Sequence, residues 1–368
     1  MRAPRIGTYR EEDISFLLSP LSVQELELLY KDPADKERLI QQGKSHYSRM
    51  LSRERAPDAR YLSIFEQALS RFGQRMGQDI AQLALALSER VKGPITLLSF
   101  VRAGVPVGVL LHRALKLLNR QSAHYGISII RDKGIDLNAM EYVLQHHLPE
   151  SVVFVDGWTG KGAISNELES AMAANPQLGV EPRMITLADP AGRAWLSASA
   201  EDWLIPSGIL GSTVSGLISR SVLREGHEQS DDFHATALLD DLKDHDLSQR
   251  FVDTIHEHVV ATLPLTQSPQ SYQADRQRAD KVIARTADEF SIKNMNRIKP
   301  GIAEATRAVL RRVPDRVIVS SKKDDDLAAL VHLAGQAGVP IDERGSDISP
   351  YRAITLIAHR GQTTNEKP

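Results

Sequence analysis

Cysteine is absent from all 368 residues. That removes disulfides, thiolate zinc sites and every mechanism built on a cysteine nucleophile, and it accords with a reducing cytoplasmic location, the compartment expected here. Aromatic residues are sparse at 5%, and none form the interleaved run on which single-stranded nucleic acid stacks. Charge of one sign is also lacking: 45 Lys and Arg stand against 47 Asp and Glu, a net charge of -2, so bulk electrostatics mark no nucleic-acid binder. No apolar run approaches the roughly 18–20 residues of a membrane span. The opening stretch, MRAPRIGTYREEDISFLL, is interrupted by acids and has no apolar signal core.

A chain this long is expected to form two domains with a full core and no staples. Residues 1–92 read as a helical N-terminal extension, with apolar residues at helical spacing over 22–30 and 60–91. From residue 95 short branched apolar runs alternate with helical segments. The runs are ITLLSF at 95–100, GISII at 126–130, VVFV at 152–155 and MITLA at 184–188. Such alternation predicts an α/β fold over 93–262, a parallel sheet flanked by helices. A Ser/Pro/Gln-rich stretch at 263–273 reads as a linker, followed by a connecting helix to 291. Residues 292–368 read as a small C-terminal α/β domain with a frayed end, GQTTNEKP.

Ligands of open parallel sheets bind beyond the carboxyl ends of the strands. Four loops fall on that rim: Arg102-Ala103-Gly104, Arg131-Asp132-Lys133 up to Asp136, Asp156-Gly157-Trp158-Thr159-Gly160-Lys161-Gly162, and the turn at Asp189. The third is richest. Its glycines admit close backbone approach, and the helix that follows presents free N–H groups to a phosphate. A nucleotide P-loop is excluded: residue 155 is Val rather than the first glycine, and Gly162 lacks the magnesium-binding hydroxyl.

VVFVDGWTGKG resembles the phosphate loop of type I phosphoribosyltransferases, and SFVRAGVPVG is similar to their pyrophosphate loop. HYGISIIRDKGID, the block LADPAGRAWLSASAEDWLIPSGILGSTVSGLISRS and DDFH more closely resemble the stress-inducible StiP-type family of tellurite-resistance systems, over roughly 10–260. Residues 292–360, with IKPGIAEATRAVLRR, resemble a Pelota/L7Ae-like RNA-binding domain. Members of the StiP-type family are labelled cysteine proteases, a mechanism that a chain without cysteine cannot run.

These resemblances imply a stress-response phosphoribosyltransferase that transfers from phosphoribosyl pyrophosphate, with Mg2+, to a base or amine acceptor. Asp156 would hold the ribose hydroxyls and the metal. Gly157, Thr159, Gly160, Lys161 and Gly162 would seat the 5′-phosphate, and Arg102, Ala103 and Gly104 the pyrophosphate, with Asp136 and Asp189 on the same rim. Arg131 and Lys133 would close over the leaving group. Two departures stand out: a single acid in the phosphate loop, and Trp158 where purine enzymes carry a carboxylate. A non-catalytic RNA-binding regulator that senses a sugar phosphate is the alternative.

Two further clusters remain. Asp231, Asp232, His234 and the acids to Asp246 suggest a metal phosphohydrolase only by composition, and His46 and Tyr47 are candidates to reach the site from the N-terminal region, although no local motif marks them. In the C-terminal domain Lys299, Gly301, Arg307 and Arg311 make a basic helix start suited to structured RNA. The bland alternative is that this stretch docks on the acidic 231–246 region. Trp203 and Ile205, in DWLIPSG, are candidates to cover a base, with core packing the reading favoured for an apolar pair.

Overall fold

The computed structural model describes residues 6–226, 230–267 and 275–359. The end at 361–368 and most of the 263–273 linker lie outside them.

The N-terminal extension contributes strands β1 (Ser15–Phe16) and β2 (Ser19–Pro20) and helices α1 (Val23–Leu29), α2 (Pro33–Gln41) and α3 (Ala59–Arg90). Asp58 caps α3 by accepting from the Tyr61 N–H at 2.7 Å. The long helix then lays its apolar stripe on the sheet. Next come β3 (Ile95–Phe100), α4 (Gly104–Leu117), β4 (Ser122–Ile127), the small hairpin β5 (Ile129–Ile130) and β6 (Gly134–Ile135), α5 (Leu137–Leu144), β7 (Val152–Val155), α6 (Ala163–Ala174), β8 (Met184–Ala188) and β9 (Leu196–Ser199). The main sheet is six-stranded, ordered β1-β4-β3-β7-β8-β9, and every pairing in it is parallel. The α/β expectation therefore holds, with two edges added: β1, only two residues long, and β9, whose Leu-Ser-Ala-Ser is no apolar run.

Both faces of this sheet are covered, which is why its strands are unbroken apolar runs. In β7, Val153 and Val155 join the core under α3 and α4, while Val152 and Phe154 join the one under α5 and α6. The chain continues through a one-turn helix α7 (Pro206–Ile209), β10 (Ala235–Thr236, parallel to β2) and α8 (Ser248–Thr262), which packs along α3.

The C-terminal domain holds α9 (Arg276–Glu289), β11 (Ile298–Pro300), α10 (Ile302–Arg311), β12 (Pro314–Val319), α11 (Ala328–Gln336), β13 (Ile341–Glu343) and β14 (Ala353–Ile357). Its sheet runs β11-β14-β12-β13. Val282 and Ile283 of α9 pack on one face with Ile318 and Ile354. On the other face, Ile302, Ala305 and Val309 of α10 share a continuous apolar cluster with Ile209 and Leu210 of the larger domain. Helix α10 is therefore sandwiched between the two domains.

Candidate functional site in the interdomain cleft

A cavity of about 580 Å³ lies where the carboxyl ends of β7 and the β5–β6 hairpin meet α10 and the N-terminal α2. Lys36, Arg131, Arg220, Arg297, Lys299, Arg307, Arg311 and Arg312 line it, against only Glu37, Asp132, Asp156 and Glu304. Cations thus outnumber acids two to one around this cleft, the electrostatics of an anion site.

The glycine loop supplies the floor. Asp156 is buried, with Oδ1 accepting from the Gly157 N–H at 2.8 Å. Burial pushes its pKa up to about 7, with the Glu304 charge adding to the rise and the Gly157 N–H and Arg307 opposing it. Thr159 and Gly160 also line the cleft, but the Thr159 hydroxyl donates to Asp189 Oδ1 at 2.5 Å. Asp189 further accepts from the backbone of Arg193 and Ala194 at 2.9 and 2.8 Å, which makes it the organiser of its own turn. Gly162 has φ +83° and begins α6, a left-handed position that favours glycine. Gly104 is required by packing: a Cβ there would stand 2.1 Å from the Val155 carbonyl oxygen. Ala103 lines the cleft beside it.

Other expected residues point elsewhere. Arg102 is buried, paired with Glu54, and donates to the Ile218 carbonyl at 3.0 Å. Lys161 donates to the Ile298 carbonyl at 3.1 Å and to that of Met295, so it clamps the C-terminal domain. Burial and Lys299 lower its pKa to about 7. Lys133 is exposed at the hairpin tip, while the flanking N–H groups of Asp132 and Gly134 are held by Glu167 at 2.8 Å. Asp136 caps α5 and accepts from the His234 N–H at 2.5 Å. Arg131 does line the cleft; its Nη1 donates to Asn296 at 3.1 Å.

The basic helix start of the C-terminal domain faces this cleft. Lys299 is buried and pairs with Glu304 at 3.3 Å. Its pKa falls to about 8, burial being the main cause and Glu304 opposing it. Arg307 lies over the Trp158 ring at 4.7 Å and donates weakly to the Leu210 carbonyl at 3.3 Å. Arg311 approaches Glu54 at 3.7 Å. Gly301, at φ +89°, precedes an α10 start capped by Asp202, which accepts from the Ile302 N–H at 2.9 Å. The stretch therefore docks on the glycine loop and residues 202–210, and none of these contacts involves the acidic 231–246 region.

His46 and Tyr47 prove to line the cleft; the Tyr47 hydroxyl accepts from the Arg131 N–H at 2.8 Å. Lys36 and Arg220 carried no sequence signal, whereas Arg312 belongs to the basic stretch at 292–323. The three come from segments far apart in the chain, and their grouping exists only after folding. Trp203 and Ile205 are core residues, 2% and 1% exposed. His234 is buried and bonded to Ser128 at 2.7 Å. Among the described residues no group of three or more His, Cys, Asp or Glu could hold a metal ion. No such group falls within 231–246, and Asp156, the one acid of the glycine loop, is favoured in its neutral form by burial. Among the described residues no helix is long and apolar enough to cross a membrane.

Residues 7–256 match the family described as "Tellurite-like stress resistance cysteine protease StiP", and residues 277–359 the one described as "PELOTA RNA binding domain". A relative from Acinetobacter baylyi, named "Cysteine protease StiP", is 46% identical over 97% of this chain and 95% of its own. Hypoxanthine phosphoribosyltransferase of Trypanosoma cruzi matches 35% of this chain and 77% of its own at 14% identity and TM-score 0.27. An archaeal alanine:glyoxylate aminotransferase matches 89% of each chain at 11% identity and TM-score 0.22. Likenesses at that level carry no argument. The expectation of a phosphoribosyltransferase using phosphoribosyl pyrophosphate is thereby corrected: the family and the full-length relative bear a protease name, and no comparable match supports the transferase.

Proposed function

The chain belongs to the StiP family, and within that family we propose that this member holds a phosphate-bearing ligand in the cationic cleft between the glycine loop and α10. The observation that carries the reading is a pair of guanidiniums, Arg131 and Arg307, which line the cavity with their Nε groups buried and, among the described residues, without a hydrogen-bond partner. A buried donor without an acceptor is costly unless a ligand supplies one, and planar guanidiniums match phosphate oxygens. The volume, about 580 Å³, falls within the roughly 300–1,000 Å³ of small-molecule sites.

The chain has no cysteine, so chemistry at this cleft proceeds without a thiolate. Asp156, with a pKa of about 7, is the group suited to exchange a proton with the ligand or a water. Calorimetric titration with inorganic phosphate and nucleoside monophosphates tests the reading. Binding weakened, with an equivalent lost, in Arg131→Met and Arg307→Met is expected; no binding by the unaltered chain overturns it.

RNA is a second reading, supported by the match of the C-terminal residues to an RNA-binding family. Lys293, Lys322 and Lys323 are exposed on that domain and suited to phosphate contacts, whereas Lys299, Arg307 and Arg311 line the cleft and Gly301 packs beside Asp202, so these four meet RNA only when α10 leaves its seat. Filter binding of a structured RNA across salt is expected to weaken steeply with ionic strength, and in Lys322→Glu/Lys323→Glu. Salt-insensitive or absent binding counts against it.

A further inference from the structure

The cleft has a second cationic wall that the glycine loop does not contribute. Lys36, on α2 and 7% exposed, lines it. Among the described residues its ammonium has a single hydrogen-bond partner, the Ser52 hydroxyl at 3.1 Å, and no carboxylate within ion-pair distance. Arg220, Arg311 and Arg312 line the same cavity. Glu37 neutralises Arg312 through contacts of 2.6 and 2.9 Å. Glu54 is shared between Arg311 and the buried Arg102. The wall is therefore left with more cations than acids, its core a lysine amine withdrawn from water that sheds its proton readily unless an anion arrives.

We propose that this wall is a second anion subsite, so that the ligand of the cleft carries two phosphate groups, one toward Arg131 and Arg307 and the other on Lys36, Arg220 and Arg311. The proposal rests on the phosphate reading of the cleft and deepens it.

The two ends adjoin, since Arg307 and Arg311 stand one turn apart on α10 and repel each other; Lys36 responds to Arg220, Arg312, Arg311 and Glu37, and Asp156 to Arg307 and Glu304. One member of the wall is held in place. Arg220 is fixed by the carbonyls of Tyr47 and Met50 and lies over the Tyr47 ring at 5.1 Å. Such a site needs little reorganisation to receive an anion. Burial, then the neighbouring guanidiniums, lower the Lys36 pKa to about 7. An arriving phosphate reverses that shift, so above pH 7 the subsite fills with uptake of a proton by Lys36.

Equilibrium dialysis with inorganic phosphate on the full chain, backed by calorimetry in two buffers of different ionisation enthalpy, tests this. The unaltered chain should bind two equivalents at saturation. Lys36→Met should lose one, together with the proton uptake seen at pH 8, while Lys36→Arg keeps both equivalents and loses only the uptake. Arg131→Met should lose the other equivalent. Thermal melting checks that each variant is folded, and Lys36→Met is expected to melt no lower than the parent. Two equivalents retained in Lys36→Met, or a single one lost only in Arg131→Met, overturn the second subsite and leave the first standing. No binding by the unaltered chain removes both.

Discussion

Lys161 donates to the main-chain carbonyl of Ile298 at 3.1 Å, joining the glycine loop of one domain to the first strand of the next. The Tyr351 hydroxyl crosses the same seam to the Gly160 carbonyl at 3.1 Å. A lysine whose place in the loop suggests a phosphate ligand is thus a clamp. Lys161→Met should speed amide exchange over residues 295–300 while leaving β3 and β7 protected. Its cost should stay within about 1–2 kcal/mol, because the lost hydrogen bonds are offset by the removal of a desolvated charge. Unchanged exchange would show that the clamp does not hold the seam.

Gly104→Ala should destabilise the fold by about 1–3 kcal/mol or more, since the new methyl would meet the Val155 carbonyl oxygen at 2.1 Å and both partners are backbone. Denaturant unfolding measures it. A neutral outcome would mean that the start of α4 can shift away from β7.

Arg113 grips both oxygens of Asp13 at 2.7 and 2.6 Å and reaches Asp253 at 2.7 Å. Asp13 is 2% exposed. Removing one partner of a buried pair strands the other charge, so Asp13→Ala should cost about 3–5 kcal/mol. Equilibrium unfolding would reveal a smaller loss if water reaches Arg113.

Asp79 is buried in α3, its Oδ2 without a hydrogen bond and Arg75 at 3.9 Å. Burial pushes its pKa up to about 7, Arg75 opposing. A carboxyl whose folded pKa is raised binds more protons in the folded state, so its contribution to stability falls as pH rises from about 4 to about 7. Asp79→Asn should therefore stabilise at pH 8, on the order of 2–4 kcal/mol, with the gain vanishing near pH 4. Melting curves at the two pH values check the sign.

Asp156 titrates in the same direction within the cleft. As it ionises above about pH 7, it repels an anionic ligand. Affinity for inorganic phosphate should fall with rising pH, by at most about tenfold per unit for one proton. Asp156→Asn should flatten that part of the profile, leaving the part due to Lys36. An unchanged slope would place the carboxyl away from the bound anion.

Much of the fold was legible because it is encoded locally. ITLLSF, VVFV and MITLA declare doubly covered strands, and the segments between them carry helical periodicity, so the parallel sheet and the rim beyond its strands follow from spacing alone. The composition likewise determined that no thiolate chemistry is available. Direction was not legible. Arg102 sits on the rim as its position implies, yet it turns to Glu54, 48 residues earlier, and the Thr159 hydroxyl turns to Asp189. What only the tertiary structure decided is which charges meet. Lys36, Arg131, Arg220 and Arg311 come from four separated segments and share one cavity, and the basic start of α10 faces the glycine loop rather than open solvent. Periodicity records which side of an element is buried, because each residue's own polarity determines that. Electrostatic partnership depends on distances through space between residues remote in the chain, and those arise only when the sheet, the N-terminal helices and the C-terminal domain close on one another.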